Sequence, residues 1–147
     1  AVAWTDRYPG LAESWMYLRG ESRPGQTIAV AGTYLTYPLF GRQLDRRVVH
    51  VPVARGVEFL HQIPRISVRL SEANLLSEVV AAGQRNADRT VWLQRLQTAG
   101  VGYVLIQYQP DGTLPRLVEW GWLEDESRFR EVFRTERSAV FAVLSTE

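Results

Sequence analysis

Two residue types that carry much of enzyme chemistry, cysteine and lysine, are missing from this chain of 147 residues. Without cysteine the chain has no thiol nucleophile, no thiolate metal ligand and no disulfide, and its redox compartment stays undecided. All 17 basic residues are arginine, so the chain itself supplies neither a P-loop lysine nor a Schiff-base lysine. A GC-rich coding sequence explains this arginine bias more simply than function does.

Histidine is nearly as scarce, since the chain has only His50 and His61. Two histidines are too few for an internal three-histidine metal site, and we predict no metal and no cofactor. His50 stands in a run of valines, which favours a hydrogen-bonded core or edge histidine over a catalytic one. The formal net charge is +1, so the charge expected of a nucleic-acid binder is missing. No apolar run approaches the roughly 18 residues of a membrane span, and we expect one soluble domain.

The stretch from Gln26 to Gly41 organises the predicted fold. Its apolar run, residues 28–31, lies between glycines and is typical of a fully buried strand. Aromatic and hydroxyl side chains follow at the carboxyl end of that strand, where open α/β sheets place ligands. The candidate binding residues there are Tyr34, Thr36 and Tyr37. The same stretch could equally form a packed crossover with no ligand.

The rest of the pattern predicts a single α/β domain. Helical spacing of apolar residues predicts helices at 11–18, 75–80, 90–99 and 117–122, the first ending at Gly20 and the third capped by Asp88 or Thr90. Further strands are predicted at 48–53, 66–70, 101–106, 129–134 and 139–144. The fold class is therefore a small three-layer Rossmann-like sheet, mostly parallel, with a C-terminal antiparallel hairpin. Residues 55–86 fit this pattern least and are interpreted as an insertion.

Carboxylates offer the remaining route to acid–base chemistry. The acidic run at 124–126 is typical of a solvated loop. Glu119 shares a short predicted helix with Trp120 and Trp122. It could point into a crevice or pair with an arginine such as Arg116, and pairing is the preferred interpretation. Glu119 and Trp120 join the candidate binding residues, and no catalytic residue is predicted.

Taken in order, the apolar motifs resemble the soluble C-terminal domain of GT-C type polytopic membrane glycosyltransferases. These are the protein-mannosyltransferase-like and aminoarabinose-transferase-like bacterial proteins. Their tail shows an aromatic helix, a strand ending in glycine, a YPLFG segment, a valine-rich strand, a helix leading into a buried strand, a Glu-Trp helix and a final hairpin. The matching segments here are 15–18, 28–32, 37–41, 47–51, 92–106, 119–120 and 129–143.

This resemblance implies a domain excised from a larger membrane protein, an expectation that the start at Ala1 without a methionine also prompts. The parent would transfer a sugar from a polyprenyl-phosphate carrier at the extracytoplasmic face of a bacterial membrane. The implied partners are the transmembrane part of the same polypeptide and a lipid-linked sugar or acceptor. The family's catalytic carboxylates are associated with loops of the membrane part, so none is carried over and the domain is expected to be a non-catalytic accessory. The alternative is a free-standing α/β module that binds a small molecule, and a third interpretation is a hydrolase using Glu119 or the 124–126 acids.

Overall fold

The computed structural model describes residues 8–31, 46–54, 84–107 and 117–145. Three helices and five strands have both ends within these ranges, and residues 84–85 are also helical. They are α1 (Ala12–Glu21), β1 (Thr27–Ala31), β2 (Arg47–His50), α2 (Arg89–Ala99), β3 (Val101–Gln107), α3 (Val118–Trp122), β4 (Phe129–Arg134) and β5 (Ser138–Val143). No helix in these ranges is long and apolar enough to cross a bilayer.

All five strands form one sheet in the order β2-β1-β3-β5-β4. β1 pairs in parallel with both β2 and β3. β5 pairs antiparallel with β3 and with β4. The α/β class and the C-terminal hairpin are therefore confirmed, but the prediction of a mostly parallel sheet is wrong, because two of the four strand pairings are antiparallel. The reason is that β5, with four fully buried residues, takes an interior position next to β3, while the more exposed β4 becomes an edge.

Alternating side chains divide the core between the two faces of the sheet. Along β1, Ile28 and Val30 pack on the face covered by α1. Ala29 and Ala31 pack on the opposite face, which α2 and α3 cover. We call these the α1 face and the α2 face. Because all five residues of β1 are buried, the predicted two-sided burial of this strand is confirmed.

The ends of α2 follow the sequence prediction. Asp88 is the N-cap, and its side chain accepts a hydrogen bond from the backbone N–H of Val91. Gly100 ends the helix in the left-handed conformation with φ of 66°, which costs glycine less than any residue with a Cβ. The strand β3 starts at the next residue. Of the two caps predicted, Asp88 is correct.

The end of α1 differs from the prediction, because the helix continues through Gly20 to Glu21. Ser22 ends it, with its backbone N–H donating to the carbonyl of Leu18 at 2.8 Å. The guanidinium of Arg46 donates to the Ser22 carbonyl at 2.9 Å and to the Arg19 carbonyl at 3.3 Å. A cation that satisfies the last carbonyls of a helix also complements its dipole, so a glycine was not needed here.

The edge strand β2 is shorter than predicted, ending at His50 instead of residue 53. Pro52 has no N–H to donate to a ladder, which explains the early end. Arg95 of α2 holds the following segment by donating to the carbonyls of Pro52 at 2.9 Å and Ala54 at 3.1 Å. His50 is half-buried on this edge strand. An edge position was one of the two predicted for it, the other being the core.

The predicted strand at 66–70 and the predicted helix at 75–80 lie outside the described residues, as does most of the block at 55–86. Its last three residues, 84–86, are described, and they lead into α2.

Candidate functional site

Five residues are candidates from sequence, and the described structure contains two of them. Tyr34, Thr36 and Tyr37 lie outside the described residues. Glu119 and Trp120 are adjacent in α3 and are both buried on the α2 face. Their side chains have different neighbours, so each is treated in turn.

The Glu119 carboxylate is enclosed, with the residue 2% exposed. The side-chain Nε2 of Gln84 donates to its Oε1 at 2.9 Å. The Oε1 of the same glutamine accepts from the backbone N–H of Val118 at 2.7 Å. One carboxamide therefore satisfies both the first N–H of α3 and the carboxylate beside it, two groups that would be costly to bury alone.

Burial raises the pKa of Glu119, because an ionised carboxylate loses hydration in the interior, and the hydrogen bond from Gln84 offsets part of this shift. The preferred prediction, pairing with an arginine, does not describe this geometry, since the partner seen in the described part of the chain is Gln84. Arg116 itself lies outside that part. A buried carboxylate with a raised pKa suits general acid chemistry, but Glu119 lines neither of the two clefts described below.

The Trp120 side chain lies beside a cleft of about 650 Å³ between α3 and the β4–β5 hairpin. Its indole packs edge-on against Phe141, with 6.4 Å between ring centres. The guanidinium of Arg134 lies 5.4 Å from the centre of the Trp120 ring, a cation–π contact. The Nε of Arg134 also donates to the carboxylate of Glu131. We call this space the Trp120 cleft.

The Trp120 cleft combines an apolar floor with a charged rim. Leu123, Phe129, Phe141 and Leu144 complete the floor, and the rim carries Glu124, Glu126, Arg130, Glu131 and Arg134. Its volume falls in the range of small-molecule sites. Trp120 is only 5% exposed, so the covering Arg134 must move before a ligand can stack on the indole.

The acidic run at 124–126 lies in the surface loop before β4, as predicted. Asp125 Oδ2 accepts from Arg89 at 2.5 Å, and its Oδ1 accepts from the hydroxyl of Ser127 at 2.5 Å. The hydrogen bond from Ser127 and the pairing with Arg89 hold the pKa of Asp125 below its ordinary value. A carboxylate kept ionised in this way is a poor general acid. Within the described ranges, no three acidic or histidine side chains are grouped so as to hold a metal ion.

Gln84 and Arg134 are the residues that sequence reasoning missed. Gln84 belongs to residues 55–86, which were interpreted as an insertion, and 35 positions separate it from Glu119. Arg134 is one of several charged residues on β4, and its position over Trp120 depends on the register shift between Glu131 and Phe133. No local sequence pattern predicts either contact.

Comparison with known proteins does not narrow the assignment: no protein-family model matches the sequence, and no curated protein matches it significantly.

Proposed function

We propose that the chain is an accessory, non-catalytic extracytoplasmic domain of a GT-C type membrane glycosyltransferase, whose parent would use a polyprenyl-phosphate-linked sugar donor. One observation supports this proposal most. Within the described residues, the segments that carry the resemblance contribute to the core, as Trp15, Ile28, Trp92 and Phe141 illustrate. What the chain shares with that family is thus the set of residues that build one sheet and its helices. A domain selected for packing fits this pattern better than one selected for chemistry.

The arrangement of helices supports the finer part of the fold proposal. With α1 on one face of the sheet and α2 and α3 on the other, a three-layer Rossmann-like architecture is the natural interpretation. In this proposal the domain packs over the transmembrane part of the same polypeptide at the outer face of a bacterial membrane. Its role would be to shape the entrance for the acceptor or the lipid-linked sugar.

The hydrogen bonds of the two carboxylates described above agree with a non-catalytic role. Glu119 is bound by Gln84 inside the α2 face, and Asp125 is bound by Arg89 and Ser127 on the surface. Each carboxylate therefore already has a partner in the fold. A hydrolase using either group would have to release it first.

The test is an assay of sugar transfer. We expect the isolated chain to transfer no sugar from polyprenyl-phosphate-linked donors to peptide or lipid acceptors, whereas a full-length parent should do so. A deletion of this domain from the parent should reduce transfer, and the variants Trp15→Ala and Trp92→Ala in the parent should mimic the deletion. Turnover by the isolated chain would overturn the proposal, and so would a complete reading frame that lacks apolar spans of about 20 residues.

The alternative is a free-standing α/β module that binds a small molecule, and the Trp120 cleft is the observation that favours it. A ligand present at 100 times its dissociation constant would stabilise the chain by about 2.7 kcal/mol. Thermal unfolding in the presence of sugars, nucleosides and amino acids would detect such a ligand. The variant Glu131→Gln, which frees Arg134 from its ion pair, should change the affinity, whereas Arg23→Gln, far from the cleft in sequence and exposed, should not.

A further inference from the structure

A second cleft of about 360 Å³ lies on the α2 face at the end of the sheet where β3 and β4 begin. It is bounded by the first residues of β3 and β4, Val101 and Phe129, and by Val143 at the end of β5. Leu93 and Leu96 of α2 close one side. Because helices and strands form these walls, the shape is held more rigidly than a cleft between loops.

Among the described residues, Arg128 is the one charged side chain that lines this cleft, beside the polar Gln97 and Ser145 and the apolar side chains of Leu93, Val143 and Leu144. Its backbone is fixed at both ends: its N–H donates to the Asp125 carbonyl at 3.0 Å, and its carbonyl accepts from the Leu144 N–H at 2.8 Å. Its guanidinium is only loosely engaged, since the Nε lies 3.8 Å from Asp125 Oδ2. That oxygen already accepts from Arg89 at 2.5 Å.

Arg128 lines the cleft with its side chain 45% exposed, and the 3.8 Å contact to Asp125 engages only its Nε. A guanidinium binds a carboxylate well because its planar donors match the two oxygens. The adjoining walls, such as Leu93 and Val143, offer an apolar surface of a size found in small-molecule sites. A cation at the rim and hydrocarbon inside complement an anion with an apolar body.

We propose that this cleft binds a small amphipathic carboxylate, with its apolar body against the half-buried Leu93, Val143 and Leu144 and its carboxylate on Arg128. The head group must lie on the Arg128 side of the cleft. The other side, near Gly100, is the C-terminus of α2, where backbone carbonyls disfavour an anion. This site shares Phe129 and Leu144 with the Trp120 cleft but has its own charged residue, Arg128. It does not depend on the proposed glycosyltransferase relationship.

The test uses octanoate as the probe and amide chemical shifts of the ¹⁵N-labelled chain as the readout. We expect saturable shifts at Leu93, Gln97 and Val101, which line this cleft and not the Trp120 cleft. Octylammonium, with the same tail and the opposite charge, should bind at least about tenfold more weakly, since a charge-assisted hydrogen bond contributes about 1.5–3 kcal/mol and each 1.4 kcal/mol is tenfold. Equal affinity for the two probes would overturn the proposal, as would shifts confined to the Trp120 cleft.

Two variants separate the head group from the tail. Arg128→Gln should weaken octanoate about tenfold and leave octylammonium unchanged or improved. Gln97→Trp places a bulky side chain at an exposed position that lines the cleft, and it should weaken both probes. Arg23→Gln is the matched control, because Arg23 is exposed and lies outside the cleft. If Arg128→Gln binds octanoate as the parent chain does, with an unchanged amide spectrum elsewhere, the assignment of the head group is wrong.

Discussion

The two faces of the sheet bury their polar groups in different ways. On the α1 face, the hydroxyls of Ser14 and Ser138 lie 2.6 Å apart, and the Ser138 hydroxyl donates to the carbonyl of Gly10. On the α2 face, the buried pair is the carboxylate of Glu119 and the carboxamide of Gln84. The first contact is neutral at any pH, whereas the second contains a group that titrates.

This difference bears on what each face can do. The neutral hydroxyl contact joins α1 to the β4–β5 hairpin, and its contribution to stability does not depend on pH. A buried carboxylate makes the α2 face sensitive to pH and to the position of Gln84, which lies near the end of the block at 55–86. The α2 face also carries both clefts described above.

The largest expected effect tests whether the two faces contribute equally to stability. Trp15 on the α1 face and Trp92 on the α2 face are each 2% exposed. Trp15→Ala and Trp92→Ala should each lower the free energy of unfolding by about 3–5 kcal/mol, because each removes a large buried ring and leaves a cavity. Urea denaturation measures this. Met16→Ala, at a position 59% exposed, is the control and should change stability by less than about 0.5 kcal/mol. A cost confined to one tryptophan would show that one face dominates.

The next effect isolates the polar contact of the α2 face. Gln84→Ala should cost about 2–3 kcal/mol, because it leaves both the Glu119 carboxylate and the Val118 N–H without their partner. The exposed Gln94→Ala on α2 is the matched control and should be nearly neutral. If Gln84→Ala is also neutral in urea denaturation, the contact contributes nothing to the fold.

A smaller effect isolates the polar contact of the α1 face. Ser14→Ala should cost about 1 kcal/mol, the net value of one hydrogen bond, since Ser138 keeps its bond to Gly10. A double-mutant cycle with Ser138→Ala should give a coupling of at least about 0.5 kcal/mol between the two hydroxyls. Additive costs would mean that the two hydroxyls do not interact.

The last prediction concerns how stability depends on pH. Because burial raises the pKa of Glu119 in the folded chain, the folded state binds more protons than the unfolded state between the ordinary and the raised pKa. The stability associated with Glu119 is therefore present at low pH and is lost as pH rises through that window. Glu119→Gln should remove this dependence, so the variant should gain on the parent chain as pH rises.

Thermal unfolding across acidic and neutral pH measures the difference between parent and variant. Ser14→Ala is the control, since the gap between that variant and the parent should stay constant with pH. A constant gap for Glu119→Gln as well would show that Glu119 has the same pKa in the folded and unfolded chain.

Local signals explain how much of the fold was predictable. The buried run of β1, the N-cap of α2 and the end of α2 at residue 99 depend on neighbours in sequence. The run and the end were predicted correctly, and Asp88 was one of the two residues predicted for the cap. The hairpin was predicted for the same reason, because only a short turn joins β4 to β5. The strand order was not predicted, because the position of β5 between β3 and β4 depends on how much of each strand is buried in the assembled sheet.

The candidate site was less predictable than the fold. Glu119 and Trp120 were found from composition, as an acid and an aromatic in one short helix, but their partners Gln84 and Arg134 come from distant segments. The sequence also offered no reason to single out Arg128, which lines the second cleft, among its 17 arginines.

The sequence by itself excluded thiol and lysine chemistry and indicated the approximate positions of the helices and strands that the structure describes. The absence of cysteine and lysine and the spacing of apolar residues are properties of the chain before it folds. Only the tertiary structure decided that Gln84 binds Glu119, that Arg134 lies over Trp120, and that Arg128 lines the second cleft. Those contacts join residues far apart in sequence, and their energies depend on burial and distance, which exist only once the sheet has assembled.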